Sequence, residues 1–157
     1  MDMPEFVFET EVGTQTAVVD GLVGKPYPDD LDNEDLEFVV GRLTKREGMD
    51  ETLARRILPE YKRYMKLRKI SREVLSPSVP VDEFWHAHVL YTEQYAEFCQ
   101  RNFGKFIHHR PFDHSPVPID GVVIGERTRQ LIEEHFPEHD AGIWQQTAMC
   151  SSYSTDG

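Results

Sequence analysis

The sequence predicts a mainly α fold, a small single-domain helical bundle of four to five helices with an irregular N-terminal arm and a disordered C-terminal tail. Three observations carry that expectation. Apolar residues recur at three- and four-residue spacing through the middle of the chain, residues able to cap helices stand where those runs begin, and glycines and prolines stand where they end. The 157 residues, 39% hydrophobic, are enough to bury one core without covalent staples. The expected division is an arm over residues 1–31, a helical domain over 32–145 and a flexible tail over 146–157.

In the arm, Phe6, Phe8 and Thr10 alternate briefly before Val18-Val19-Asp20-Gly21 runs into Lys25-Pro26-Tyr27-Pro28, which cannot continue a helix. Asp32 or Asn33 can then cap a helix over about residues 34–46 that carries Leu36, Phe38, Val39, Val40 and Leu43, with Gly48 as its stop. Asp50 opens a longer amphipathic run through Leu53, Ile57, Tyr61, Tyr64, Met65, Leu67 and Ile70. Pro59 inside it implies either a kink or two consecutive helices. Ser76-Pro77-Ser78-Val79-Pro80 is a break, and a helix over about 81–101 follows, ended near Gly104. A last helix opens at Gly125-Glu126, carries Leu131, Ile132 and Phe136, and stops near Pro137; Trp144 is expected to pack back on the core.

The net charge of −11, from 28 acidic and 17 basic residues, argues against nucleic acid or an anionic membrane as a partner, since both attract positive charge. Arg55, Arg56, Lys62, Arg63, Lys66, Arg68, Lys69 and Arg72 do form a basic stripe, which reads first as a solvated face paired with the chain's own carboxylates. No segment approaches the roughly 18 apolar residues of a membrane span, and the N terminus lacks a secretory opening, so a cytoplasmic protein is expected. Cys99 and Cys150 are far apart and without Cys-x-x-Cys spacing, which points to reduced thiols. Cys150 lies in a tail of small hydroxyl residues that reads as a frayed end, with covalent modification as the alternative.

Chemistry is suggested at one place. Val81-Asp82-Glu83-Phe84-Trp85-His86-Ala87-His88 and, after a further helical stretch, Phe106-Ile107-His108-His109 hold four of the seven histidines in two pairs. Imidazole is the commonest protein ligand for transition metals. At about 100° per residue, His88 shares a face with Val81, Phe84, Trp85, Tyr95 and Cys99, whereas His86 lies on the polar flank with Asp82, Glu93 and Glu97. The two rings of His-x-His therefore diverge. A buried His88 bonded to a tyrosine hydroxyl or a carbonyl is the structural alternative to a ligand. Asp82, His86 and Glu93 make a partial ligand set that needs a further donor. A turn at Gly104 can bring His108 or His109 beside the helix, and because adjacent residues of an extended segment face opposite ways, one of the two should face it. His114 is a further candidate, while His135 and His139 read as incidental.

The site expected on these grounds comprises Asp82, His86, His88, His108 and His109, with zinc or iron(II) as the metal and metal-dependent chemistry as its use. The alternative is a non-catalytic protein-interaction module in which the histidines are structural. The partner, protein or small molecule, is not named by any motif: there is no phosphate-binding loop, no nucleophile elbow and no His-Glu-x-x-His.

The run from Glu60-Tyr61-Lys62-Arg63-Tyr64 through Pro77-Ser78, Asp82, Trp85-His86-Ala87-His88, Tyr95, Cys99, Gly104 and His108-His109-Arg110-Pro111 resembles the glycine-rich domain-containing protein-like family, in the manner of a small prokaryotic-type member. The resemblance covers about residues 50–112. It implies no stated activity for a small member, and the C terminus departs from the glycine-rich tail of the plant relatives.

Overall fold

Helix α3, Glu51–Ile70, is the axis of the molecule. The computed structural model describes residues 30–112 and 118–145, and among these are six helices and no strand. Of the expected irregular arm over residues 1–31, Asp30 and Leu31 are described and open a helix with Leu31 fully buried, so the helical domain begins earlier than expected; residues 1–29, the C-terminal tail and His114 lie outside the described residues. Around α3 pack α1 (Asp30–Asn33), α2 (Glu37–Lys45), α4 (Val79–Val89) and α6 (Gly121–His135), while α5 (Thr92–Phe103) leans on α4 and α1. The mainly helical, single-domain expectation is met.

The axis forms where its residues dictate. The Asp50 carboxylate accepts the Leu53 N–H at 3.1 Å and caps the first turn, and Ala54, Ile57, Tyr61, Tyr64, Met65 and Leu67 are all buried. The helix runs through Pro59 as one element. Pro59 is on the exposed face, where water can serve the carbonyl that loses its partner. No helix among the described residues is long and apolar enough to cross a membrane.

Three boundaries differ from expectation. Helix α2 starts at Glu37 rather than 34, because Asp32 and Asn33 are taken into the one-turn α1; Lys62 Nζ holds the carbonyls of Asp32 and Glu34 at 2.9 and 2.8 Å. Asp35 does the anchoring instead, its Oδ1 accepting the Glu37 N–H at 3.0 Å. The single helix expected over 81–101 is two, α4 and α5, with Leu90 and Tyr91 between them. Tyr91, at φ −88° and ψ 72°, leaves helical geometry and packs its ring edge-on to Phe38 of α2, centroids 4.9 Å apart. Helix α6 starts at Gly121, four residues early, since the Asp120 carboxylate caps the Val122 and Val123 amides.

The C-terminal segment closes on a buried carboxylate. Glu60, 0% exposed, accepts from Arg63, from the Asp140 amide at 2.8 Å and from the Trp144 indole Nε1 at 2.7 Å. Trp144 is accordingly in the core, as its sequence suggested.

Candidate functional site

The histidine-bearing elements are set by a relay of hydrogen bonds in the core. Trp85 Nε1 donates to the Tyr95 hydroxyl at 2.9 Å, and that hydroxyl donates to the Ile107 carbonyl at 2.5 Å. One residue each from α4, α5 and the segment after Gly104 are thereby locked together. Gly104 makes the return possible, ending α5 at φ 69°, which a residue with a Cβ rarely adopts. Ile107 is fully buried, so its neighbours on either side must face outward or sideways.

His109 then folds over the start of α4. Its Nε2 lies 2.8 Å from Asp82 Oδ1, its ring meets Trp85 at a centroid distance of 4.4 Å, and it meets the ring of His86 at 4.1 Å. His86 Nδ1 is 3.7 Å from the other carboxylate oxygen, Oδ2 of Asp82. Ligand atoms from Asp82, His86 and His109 all lie within 4.8 Å of one another, so these three side chains could together hold a metal ion. Asp82 and His109 are nearly buried, at 6% and 8% side-chain exposure, whereas His86 is 52% exposed. The group therefore has an inner wall and an open side.

The surroundings are acidic. Partial burial lowers the His86 pKa from its ordinary value, with His109 acting in the same direction and the Asp82 and Glu47 carboxylates opposing. Burial raises the Glu83 carboxyl above its usual value, and Asp82 and Glu47 push it further. A cation placed among Glu47, Asp82 and Glu83 would relieve their mutual repulsion.

The other two expected residues stand elsewhere. His88 is fully buried, its Nδ1 hydrogen-bonded to the Tyr61 hydroxyl at 2.8 Å, within a cage formed by Phe98, Tyr95, Tyr61 and Phe38. Burial pushes its pKa down to about 4. His108 points outward, its ring 4.9 Å from that of Phe106. Glu93, beyond the Leu90–Tyr91 break, is not in the three-residue group. Sequence reasoning missed Trp85 and Tyr95 as positioning residues; two aromatics with polar tips ten residues apart on a buried face were the available signal.

The basic stripe is spent in part on the protein's own acids. Arg55 bonds Glu37 and Glu51, Arg56 clasps Asp140, and Lys66 holds Asp32. Lys62 holds backbone carbonyls instead, and Arg68 is buried with its guanidinium over Trp85, so only part of the stripe is the solvated, self-paired face the sequence suggests.

Comparison with known proteins corrects the family reading. A family model described as UCP032817-like matches residues 36–115, and no glycine-rich domain-containing family accounts for this stretch. The residues behind the earlier resemblance, such as Trp85, His88, Tyr95 and Cys99, are buried positions of a helical core, and shared core positions are weak evidence of any one family. Neither a curated protein nor a solved structure matches the chain. The matched stretch contains α2 to α5 and the entire Asp82, His86 and His109 group, and on that match the chain belongs to the UCP032817-like family.

Proposed function

We propose that this domain binds a divalent transition metal, zinc or iron(II), through Asp82, His86 and His109. The observation that carries the reading is the convergence of one carboxylate and two imidazoles, from α4 and from a segment 27 residues on, to within 4.8 Å. Ligands about 2.0–2.1 Å from a tetrahedral zinc stand roughly 3.3 Å from one another, so Asp82 and His109 are already close enough and the exposed His86 has only to swing inward. Oxygen and nitrogen donors without a thiolate suit zinc or iron(II).

A structural zinc is closed by four protein ligands, whereas a reactive one keeps a position for water or substrate. Three ligands with an open side fit the second kind, so the proposed use of the metal is to activate water or polarise a bound group. The competing reading takes the 2.8 Å Asp82–His109 contact as a clamp between α4 and the returning segment, with no metal involved.

Elemental mass spectrometry on untagged protein prepared without chelator separates the two. The proposal expects near-stoichiometric zinc or iron in the wild type and its loss in Asp82→Asn. Wild-type protein that is folded, metal-free and remains so when zinc or iron(II) is supplied would leave only the clamp.

A further inference from the structure

On the far side of α4 from the proposed metal ligands, a cleft of about 190 Å³ opens between the α1–α2 connection, α4 and α5. His88 reaches it from the core, Phe38 and Phe98 form apolar walls, and Asp35, Gln94 and Glu97 stand at the exposed rim. Glu34 and Arg101 also line it, but they are committed to one another through a two-pronged pair at 3.0 and 2.8 Å, with Glu97 only at 3.9 Å from Arg101.

His88 gives the cleft its interest. Its Nδ1 is engaged by Tyr61, while Nε2 is buried with no hydrogen-bond partner among the described residues. One polar atom at the buried end of a cleft is left unserved, and buried polar atoms ordinarily find a partner; an ammonium, which only donates, pairs with the tautomer in which Nδ1–H donates to the Tyr61 oxygen and Nε2 accepts. The acidic residues outnumber the single arginine, so the rim favours positive charge. At about 190 Å³ the volume falls below the roughly 300 Å³ where sites for drug-sized ligands begin.

We propose that this cleft is a second site, which takes a small organic cation of the alkylammonium class, its nitrogen on His88 Nε2, its body between Phe38 and Phe98, and the rim carboxylates of Asp35 and Glu97 drawing the charge in. The inference stands apart from the metal reading, since none of its residues belongs to the Asp82, His86 and His109 group.

The test is a titration of the full chain with n-butylammonium, followed by nitrogen-15 NMR of the His88 ring and of the Gln94–Phe98 amides, with butyrate as the opposite-charge control. The same titration is repeated in His86→Ala/His109→Ala, which removes the metal ligands, and in Asp35→Asn/Glu97→Gln, which removes two rim charges while the Asn amide oxygen can still accept the Glu37 N–H. The proposal expects saturable shifts at His88 with the amine alone, unchanged without the metal ligands and weakened about tenfold without the rim charges, the equivalent of roughly 1.4 kcal/mol. No saturable shift would mean that water alone serves Nε2, and the proposal fails. It fails equally if butyrate acts as the amine does, if the rim variant binds as well as the wild type, or if the shifts vanish with the metal ligands.

Discussion

His109 Nε2 lies 2.8 Å from Asp82 Oδ1, which ties the segment after α5 back to the first turn of α4. This contact makes a three-residue group out of side chains from two places in the chain, and the proposed activity depends on it.

The exposed member of the group should be separable from stability. His86 is more than half exposed, its side chain makes no hydrogen bond among the described residues and touches only the His109 ring and, at 3.7 Å, Asp82, so His86→Ala should change unfolding free energy by no more than about 0.5 kcal/mol. Metal binding should nonetheless fall sharply. Urea denaturation of the metal-free protein and elemental analysis, performed on the same preparation, check both halves.

His88 should show the reverse behaviour. Truncation to Ala removes a fully buried ring and leaves the Tyr61 hydroxyl without its 2.8 Å partner, which should cost about 2–4 kcal/mol. Metal stoichiometry should hold in whatever fraction remains folded, as read by elemental analysis of the folded peak from gel filtration.

Tyr95→Phe tests the relay that positions His109. The change strands the Trp85 indole N–H and the Ile107 carbonyl, with an expected loss of about 1–3 kcal/mol. Because Ile107 sits two residues before His109, metal affinity should weaken even though no ligand is altered, and a competition titration with a chromophoric chelator would measure it. Unchanged affinity would mean that His109 is held by its own contacts alone.

The buried carboxylate of Glu60 should matter more than any surface pair. Glu60→Ala leaves Trp144 Nε1 and the Asp140 amide without an acceptor and removes the buried partner of Arg63, which keeps Glu138 at 3.7 Å, at an expected cost of about 3–5 kcal/mol. Hydrogen exchange should show residues 139–145 opening ahead of the rest of the domain.

Acid should weaken the fold through Glu34. Burial raises its pKa, but the hydrogen bonds from Arg101 and Asn102 and the charge of Arg101 outweigh that and leave it below the ordinary 4.5. A folded value below the unfolded one means that the ionised carboxylate favours the folded state. That contribution is present in full above pH 4.5 and is lost as pH falls through the lowered folded value. Urea midpoints measured downward from pH 6 should fall less steeply in Glu34→Gln than in the wild type.

What the sequence disclosed followed physical locality. The Asp50 cap, the buried face of α3, the stop at Gly104 and the divergence of His86 from His88 depend on neighbours within a few residues, and periodicity and capping chemistry report such neighbours faithfully. The alternation of an extended segment likewise foretold that one of His108 and His109 would face the helix. The break at Leu90–Tyr91 left no local mark, because no glycine or proline stands there; it is made by Tyr91 packing against Phe38, more than fifty residues earlier in the chain. Carrying an unbroken helix through that point wrongly put Glu93 on one stripe with Asp82 and His86. Glu60 was equally opaque, since a glutamate in a basic stripe looks solvated until a tryptophan 84 residues away closes over it. The pairing of Asp82 with His109 is also a product of tertiary closure, and sequence spacing could offer it only as a possibility.

The most direct measurement is a calorimetric titration of zinc into the chelator-treated wild-type chain and into His86→Ala/His109→Ala, with iron(II) titrated anaerobically in parallel. The account predicts one saturable site per wild-type chain for at least one of the two ions and none in the double variant. Wild-type protein that takes up neither ion, or a double variant that binds as the wild type does, would contradict it.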